Sequence, residues 1–307
     1  MTIHLKGSPP LTYLRLAVAT AFLAAGLAAD ALLGPFVLDA IRYRVSHDMQ
    51  NQVIGGDAAM LLVAVPVAVF AAILLWRGHR AGPVVALAPA VFALYTMPQL
   101  IAGDEYLELP GNNERFFALQ LGIFVLAGIV LVGAWRTAAD ARPTVSRRLA
   151  RVAGWVLVAI AAFLLFGLHL PGLLDAWRDQ PTSAEYLQSP TSFWLVKMMD
   201  LGIVVPIATA TGIGLLRGRA WADRLTFAMI GGYAVLATSV TGMAITMQVN
   251  SDPDASLANV IVFAAFSMAL AVLAVALYRP LFRRAVPAPS EGRSLVVPAS
   301  RVDARVR

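Results

Sequence analysis

Apolar residues in this chain come in long uninterrupted blocks rather than in the two-residue or 3.6-residue patterns of a soluble fold, and short polar connections separate them. A helix rising about 1.5 Å per residue needs about 20 residues to cross a hydrocarbon core about 30 Å thick. Eight blocks meet that length, at 16–38, 57–76, 82–102, 116–135, 152–174, 194–216, 225–247 and 256–278. The pattern predicts an all-α integral membrane protein with eight transmembrane helices. The first block is too long for the apolar core of a signal peptide, about 7–15 residues, and lacks a small-residue cleavage site before Asp39, so it is read as a retained helix. Pro66, Pro89 and Pro206 fall inside blocks, where neighbouring helices can satisfy the carbonyls they free, and kinks are expected there.

The connections differ in charge from one side to the other. Positive residues are retained on the cytoplasmic side during insertion. One set of connections and termini holds 19 of the Lys and Arg residues, including Arg77, Arg80, Arg147, Arg148, Arg217 and Arg219; the other holds only 5, namely Arg42, Arg44, Arg115, Arg178 and Lys197. Acidic residues show the opposite bias, with Asp104, Glu105, Glu108, Glu114, Asp175, Asp179, Glu185, Asp252 and Asp254 on the Arg-poor side. Both termini are therefore expected in the cytoplasm, in the inner or plasma membrane. Residues 285–307 carry prolines and arginines without an apolar period and are expected to form a disordered basic tail against anionic lipid.

Two stretches of the chain resemble one another. Pro35-Phe36-Val37-Leu38-Asp39-Ala40-Ile41-Arg42 closes the first block and Pro171-Gly172-Leu173-Leu174-Asp175-Ala176-Trp177-Arg178 closes the fifth. Pro66 and Pro206 are each followed at the same distance by Arg-Gly, in Leu75-Trp76-Arg77-Gly78 and Leu215-Leu216-Arg217-Gly218. An internal repeat of two four-helix halves, about 10–140 and 145–284, follows from this reading. Halves with an even number of helices run parallel, related by a pseudo-twofold axis along the membrane normal, with a groove expected between them. The alternative is that Pro, Gly and Arg recur at helix ends for insertion reasons alone.

Composition narrows the function classes. Hydrophobic residues make up 59% of the 307 and charged residues 14%, too few charges for a soluble chain, which carries about 25%. The net charge of +6 lies between apolar blocks rather than on one basic face, which argues against nucleic acid as a partner and leaves the lipid bilayer. Cysteine is absent, which removes disulfides, thiol relays and thiolate-bound metals. Of the four histidines only His169 lies at a block's end, so no facing pair for haem is expected, and no cofactor is assigned. His-Glu-x-x-His, Gly-x-Ser-x-Gly and Gly-x-x-x-x-Gly-Lys signatures are missing, which makes an enzyme the weaker reading.

Ionisable groups inside a span cost at least about 2.5–3.5 kcal/mol and usually face a partner, a cavity or water. Asp30 in the outer part of the first block, and Lys197 and Asp200 at i, i+3 in the sixth, meet this condition, while Asp57 is expected to start the second block near the outer surface. These four are the candidate ligand residues for an ion or a small polar or lipid molecule in the groove. The alternative is that Lys197 pairs with Asp200 and the charges only fix helix packing, as in a structural or assembly component of a membrane complex. Lys197 lies too near a helix end for a buried chromophore. Thr209, Thr211, Thr238, Ser239 and Thr241 are available to line the groove or to bond their own backbone. The connection 104–114 lacks EF-hand spacing and is expected to be a solvated loop, with weak divalent binding open if Asp252 and Asp254 join it.

The segments from Asp57 to Gly78, and from Asp200-Leu201-Gly202-Ile203-Val204-Val205-Pro206 through Arg217-Gly218-Arg219-Ala220-Trp221-Ala222, resemble uncharacterised bacterial multi-helix membrane proteins. The resemblance covers most of residues 10–280 and rests on apolar positions with one Asp, one Pro and an Arg-rich turn. It implies an eight-helix membrane architecture and no activity.

Overall fold

A computed structural model of the chain describes residues 10–141, 145–253 and 255–282. Eight helices in it are long and apolar enough to cross a membrane: α1 Leu11–Leu33, α2 His47–Trp76, α3 Gly82–Ala102, α4 Asn113–Ala139, α5 Arg147–Ala176, α6 Pro190–Leu216, α7 Ala220–Val249 and α8 Leu257–Phe282. No strand occurs among the described residues, and one short helix, Ala184–Gln188, lies between α5 and α6. The basic tail 285–307 lies outside them.

Several boundaries differ from the expected ones for local reasons. α1 stops at Leu33 because Pro35 forces Gly34 into an extended conformation (φ −67°, ψ 178°), so residues 35–38 form a turn and not the end of a helix. α2 begins ten residues before the apolar block. Ser46 caps it by accepting from the Met49 N–H, and the polar stretch His47–Gly56 is helical because it packs along α7. Asp57 therefore lies inside α2 and is buried, not at its outer start.

Three helices widen into a π turn, at Met60–Ala64 in α2, Phe163–His169 in α5 and Asp200–Val204 in α6. Each ends two residues before a proline: Pro66, Pro171 and Pro206. Proline has no N–H and its ring pushes against the carbonyl four residues back. The backbone adapts by one extra residue per turn, so the N–H groups of Val65, Leu170 and Val205 reach the carbonyls of Met60, Leu165 and Asp200, five residues back.

α3 and α7 pack on each other at the centre, with α4 against α3 and α8 against α7. α1 lies on the second half of α2, and α5 on the second half of α6. The enclosure of the apolar window of α3 (56% buried) against that of α8 (17%) separates centre from periphery. Close crossings use glycine: a Cβ at Gly55 would collide with the backbone of Gly242 across the α2–α7 contact, and one at Gly212 would come 2.7 Å from the Gly154 carbonyl across α5–α6. The turns after α2 and α6 are alike. Gly78 (φ 63°) and Gly218 (φ 66°) take the left-handed conformation, and in each turn two N–H groups return to the last helical carbonyls. The matched motifs at 35–42 and 171–178 are not alike, since Asp39 is in a left-handed turn (φ 50°) whereas Asp175 is helical.

The outward faces carry large apolar side chains such as Leu62, Val125, Ile129, Val132, Met268 and Val275, more than half exposed. Trp76, Trp155, Trp177 and Trp221 are exposed towards helix ends. A girdle of this kind is compatible with a multi-pass membrane protein and not with a surface in water.

Candidate functional site

Between α2, α3, α5, α6, α7 and α8 lies a cavity of about 420 Å³. Its mouth is placed at the Arg-poor end of the bundle, where the lining comes from Tyr43, Asp104 and Glu185 between the spans and from Gln52 and Gln99 in α2 and α3. Asp57 and Asp200 lie on its wall further in, and Ile160, Leu164, Leu168, Val204, Leu236, Phe266 and Leu270 make the rest of the wall apolar. All three π turns contribute to it, through Met60, through Leu164 and Leu168, and through Asp200 and Val204. The cavity is thus polar and acidic toward its mouth and apolar along its walls, the form of a site for a molecule with both characters.

Asp200 is the best-held polar group of the site. Its Oδ1 accepts from the Tyr95 hydroxyl at 2.8 Å, and its Oδ2 accepts from His169 Nε2 at 2.7 Å. With Nε2 directed to the carboxylate, His169 Nδ1 is buried without a hydrogen-bond partner. The π turn of α5 carries His169 and that of α6 begins at Asp200, so two distortions set one hydrogen bond. His169 is interior, not at a helix end as its position in the apolar block implies, because α5 runs on to Ala176.

Lys197 does not pair with Asp200. Its Nζ lies 3.3 Å from Glu185 Oε1 and 3.3 Å from the centroid of the Phe193 ring, which hold it buried off the cavity lining. Asp30 is fully buried behind Asp57, beside Gln120. The structure thus brings Asp57 and Asp200 to one cavity, places Asp30 behind its wall and leaves Lys197 buried against Phe193 and Glu185, outside the lining.

The expected loop over 104–114 is an ordered part of the mouth. Asp104 accepts from the Arg44 backbone N–H (2.9 Å), and the Arg44 guanidinium bonds Glu114 (2.7 Å) and the Leu109 carbonyl (2.8 Å). Glu105 caps α6 by accepting from the N–H and hydroxyl of Thr191. Burial lifts the Asp104 carboxyl to about 6 although Arg44 and Asn113 donate to it. Nearby, ligand atoms of His47, Asp48 and Asp252 lie within 4.8 Å of one another, with Asp252 accepting from Asn51; Asp254 is outside the described residues. Thr211, Thr238 and Thr241 bond carbonyls four residues back in their own helices, whereas Ser239 lines the cavity.

His169, Tyr95 and Tyr43 are the functional candidates that sequence reasoning does not reach. A tyrosine within an apolar block reads as core, and the one available signal for His169 is its place two residues before an intrahelical proline. Comparison with protein-family models, with curated proteins and with solved structures finds no match for this chain.

Proposed function

We propose that this is a multi-pass inner-membrane protein with both termini in the cytoplasm, and that the cavity between two parallel four-helix halves, open at the outer face, binds a molecule with an apolar body and a cationic head. The charge asymmetry of the connections supports the orientation. The like turns at Gly78 and Gly218, the π turns before Pro66 and Pro206, and the like packing of α1 on α2 and α5 on α6 support the repeat.

The observation that carries the ligand reading is the placement of Asp200. A carboxylate fixed by Tyr95 and His169 opens onto a cavity whose walls are otherwise mostly apolar, with Asp57, Thr96, Tyr233 and Ser239 as the polar exceptions. Such a site orients an amphipathic ligand: the head meets the carboxylates and the body displaces water from the walls. Asp57 on the wall and Asp104 toward the Arg-poor end add negative charge, which disfavours a ligand with an acidic head.

The test is thermal melting of the protein in lipid nanodiscs titrated with dodecylamine or with dodecanoic acid. The amine is expected to stabilise the wild type and the acid not. Asp200→Asn is expected to bind the amine about 10-fold or more weakly, the loss of one hydrogen bond to a charged group. Equal responses to amine and acid, or an unchanged response of Asp200→Asn, would contradict the reading.

A further inference from the structure

A second polar cluster lies behind the cavity wall, separate from Asp200. Asp30 on α1 is fully buried, and neither of its carboxylate oxygens has a hydrogen-bond partner; Asp57 Oδ2 on α2 is also buried and unpartnered. The Tyr43 hydroxyl, 97% buried by its residue's exposure of 3%, has no partner either and stands among Asp30, Asp57, Asp104 and Gln120.

The surroundings do not compensate this negative charge. Asp57 abuts Gly34, the residue that closes α1, so closely that a Cβ there would collide with the carboxylate; both acids therefore sit at the negative end of the α1 dipole. Gln120, the neighbour on α4, directs an amide N–H to Asn113 (2.9 Å). Of the two arginines that flank Tyr43, Arg42 is exposed and Arg44 is engaged by Glu114 and the Leu109 carbonyl. Among the described residues no Lys or Arg forms an ion pair with Asp30 or Asp57. Asp30, with the Gln120 amide as its one nearby donor, and Asp57, with the Phe36 backbone N–H and one oxygen left bare, carry a large desolvation cost that a proton or a bound cation offsets.

We propose that Asp30, Asp57 and Tyr43 form a binding site for a hard metal cation coordinated by oxygen alone. The available donor atoms are carboxylate and hydroxyl oxygens, the set that suits alkali and alkaline-earth ions and not soft metals. Asp57 and Tyr43 also line the cavity, so an ion enters through its mouth. The site rests on carboxylates other than Asp200, and the two proposals fail separately.

The experiment compares melting of the nanodisc-embedded protein in choline chloride with melting in LiCl, NaCl, KCl, MgCl₂ or CaCl₂ at constant ionic strength and pH. At ten times its dissociation constant the bound ion is expected to raise the wild-type melting temperature by roughly 3 °C. Asp30→Asn, which removes one uncompensated charge, is expected to fold at least as well in choline and to lose the ion response. Tyr43→Phe should keep the fold and need a several-fold higher ion concentration, while Asp200→Asn should respond like the wild type. The proposal is overturned if no metal ion differs from choline, if acidification alone stabilises the protein, or if the Asp30→Asn, Asp57→Asn double variant keeps the response.

Discussion

Asp104 illustrates how one buried carboxyl at the mouth couples stability to pH. Its folded value of about 6 stands above the ordinary 3.8, so between those values the folded state binds the proton that the unfolded state has released. Stability from this group therefore falls as pH rises from about 4 to 6 and is flat above. Melting curves across that range are expected to show a downward slope in the wild type that is reduced in Asp104→Asn; equal slopes would mean that Asp104 is solvated. At this scale the sequence was informative about which charges matter and not about their partners. Asp30, Asp57 and Asp200 stand out because a lone carboxylate in an apolar block is costly, but their neighbours come from other helices. Lys197 and Asp200, at i, i+3, do not pair because Lys197 is held by Glu185 and Phe193 while Asp200 is held by His169 and Tyr95.

At the scale of elements, three proline-linked π turns shape the cavity. Pro206→Ala would restore the missing N–H and let α6 revert to regular α geometry, rotating the residues on one side of the turn by about 100° per residue removed from the bulge. Asp200 would then lose His169, and amine binding is expected to fall while the helical content seen by circular dichroism stays unchanged. Retained binding would show that the turn is incidental. Glycine contacts set how closely the helices approach. Gly242→Ala drives a methyl group into the Gly55 backbone and is expected to destabilise by about 1–3 kcal/mol, whereas Gly128→Ala, with open space around it, should be neutral or slightly stabilising. Denaturant titration of the reconstituted protein separates the two. Eight helices long and apolar enough to cross a membrane were legible in the blocks, and α3 matches its block end for end. The start of α2 was not, because Asn51, Gln52, Gly55 and Gly56 are helical through their packing on α7 rather than through apolar content.

At the scale of the whole molecule, the proposed function requires a lipid-facing exterior around a water-accessible interior cleft. The likeness of Pro66–Gly78 to Pro206–Gly218 in sequence extends to the backbone, where the same chemistry dictates the same π turn and glycine turn, whereas the likeness of 35–42 to 171–178 does not. There Gly34 lets Pro35 end α1, whereas Pro171 is absorbed by a π turn and α5 continues. Because the chain has no cysteine, single cysteines report accessibility without background. The decisive measurement is the reaction rate of a charged, membrane-impermeant thiol reagent applied from outside to Thr96→Cys, on the cavity wall, and to Val125→Cys, whose side chain is 51% exposed on the outer face of α4. Thr96 lies about 9 Å below the end of α3, yet it faces the cleft, while Val125 faces lipid. The account predicts that Thr96→Cys reacts, that dodecylamine protects it, and that Val125→Cys does not react. A reactive Val125→Cys beside a silent Thr96→Cys would contradict it.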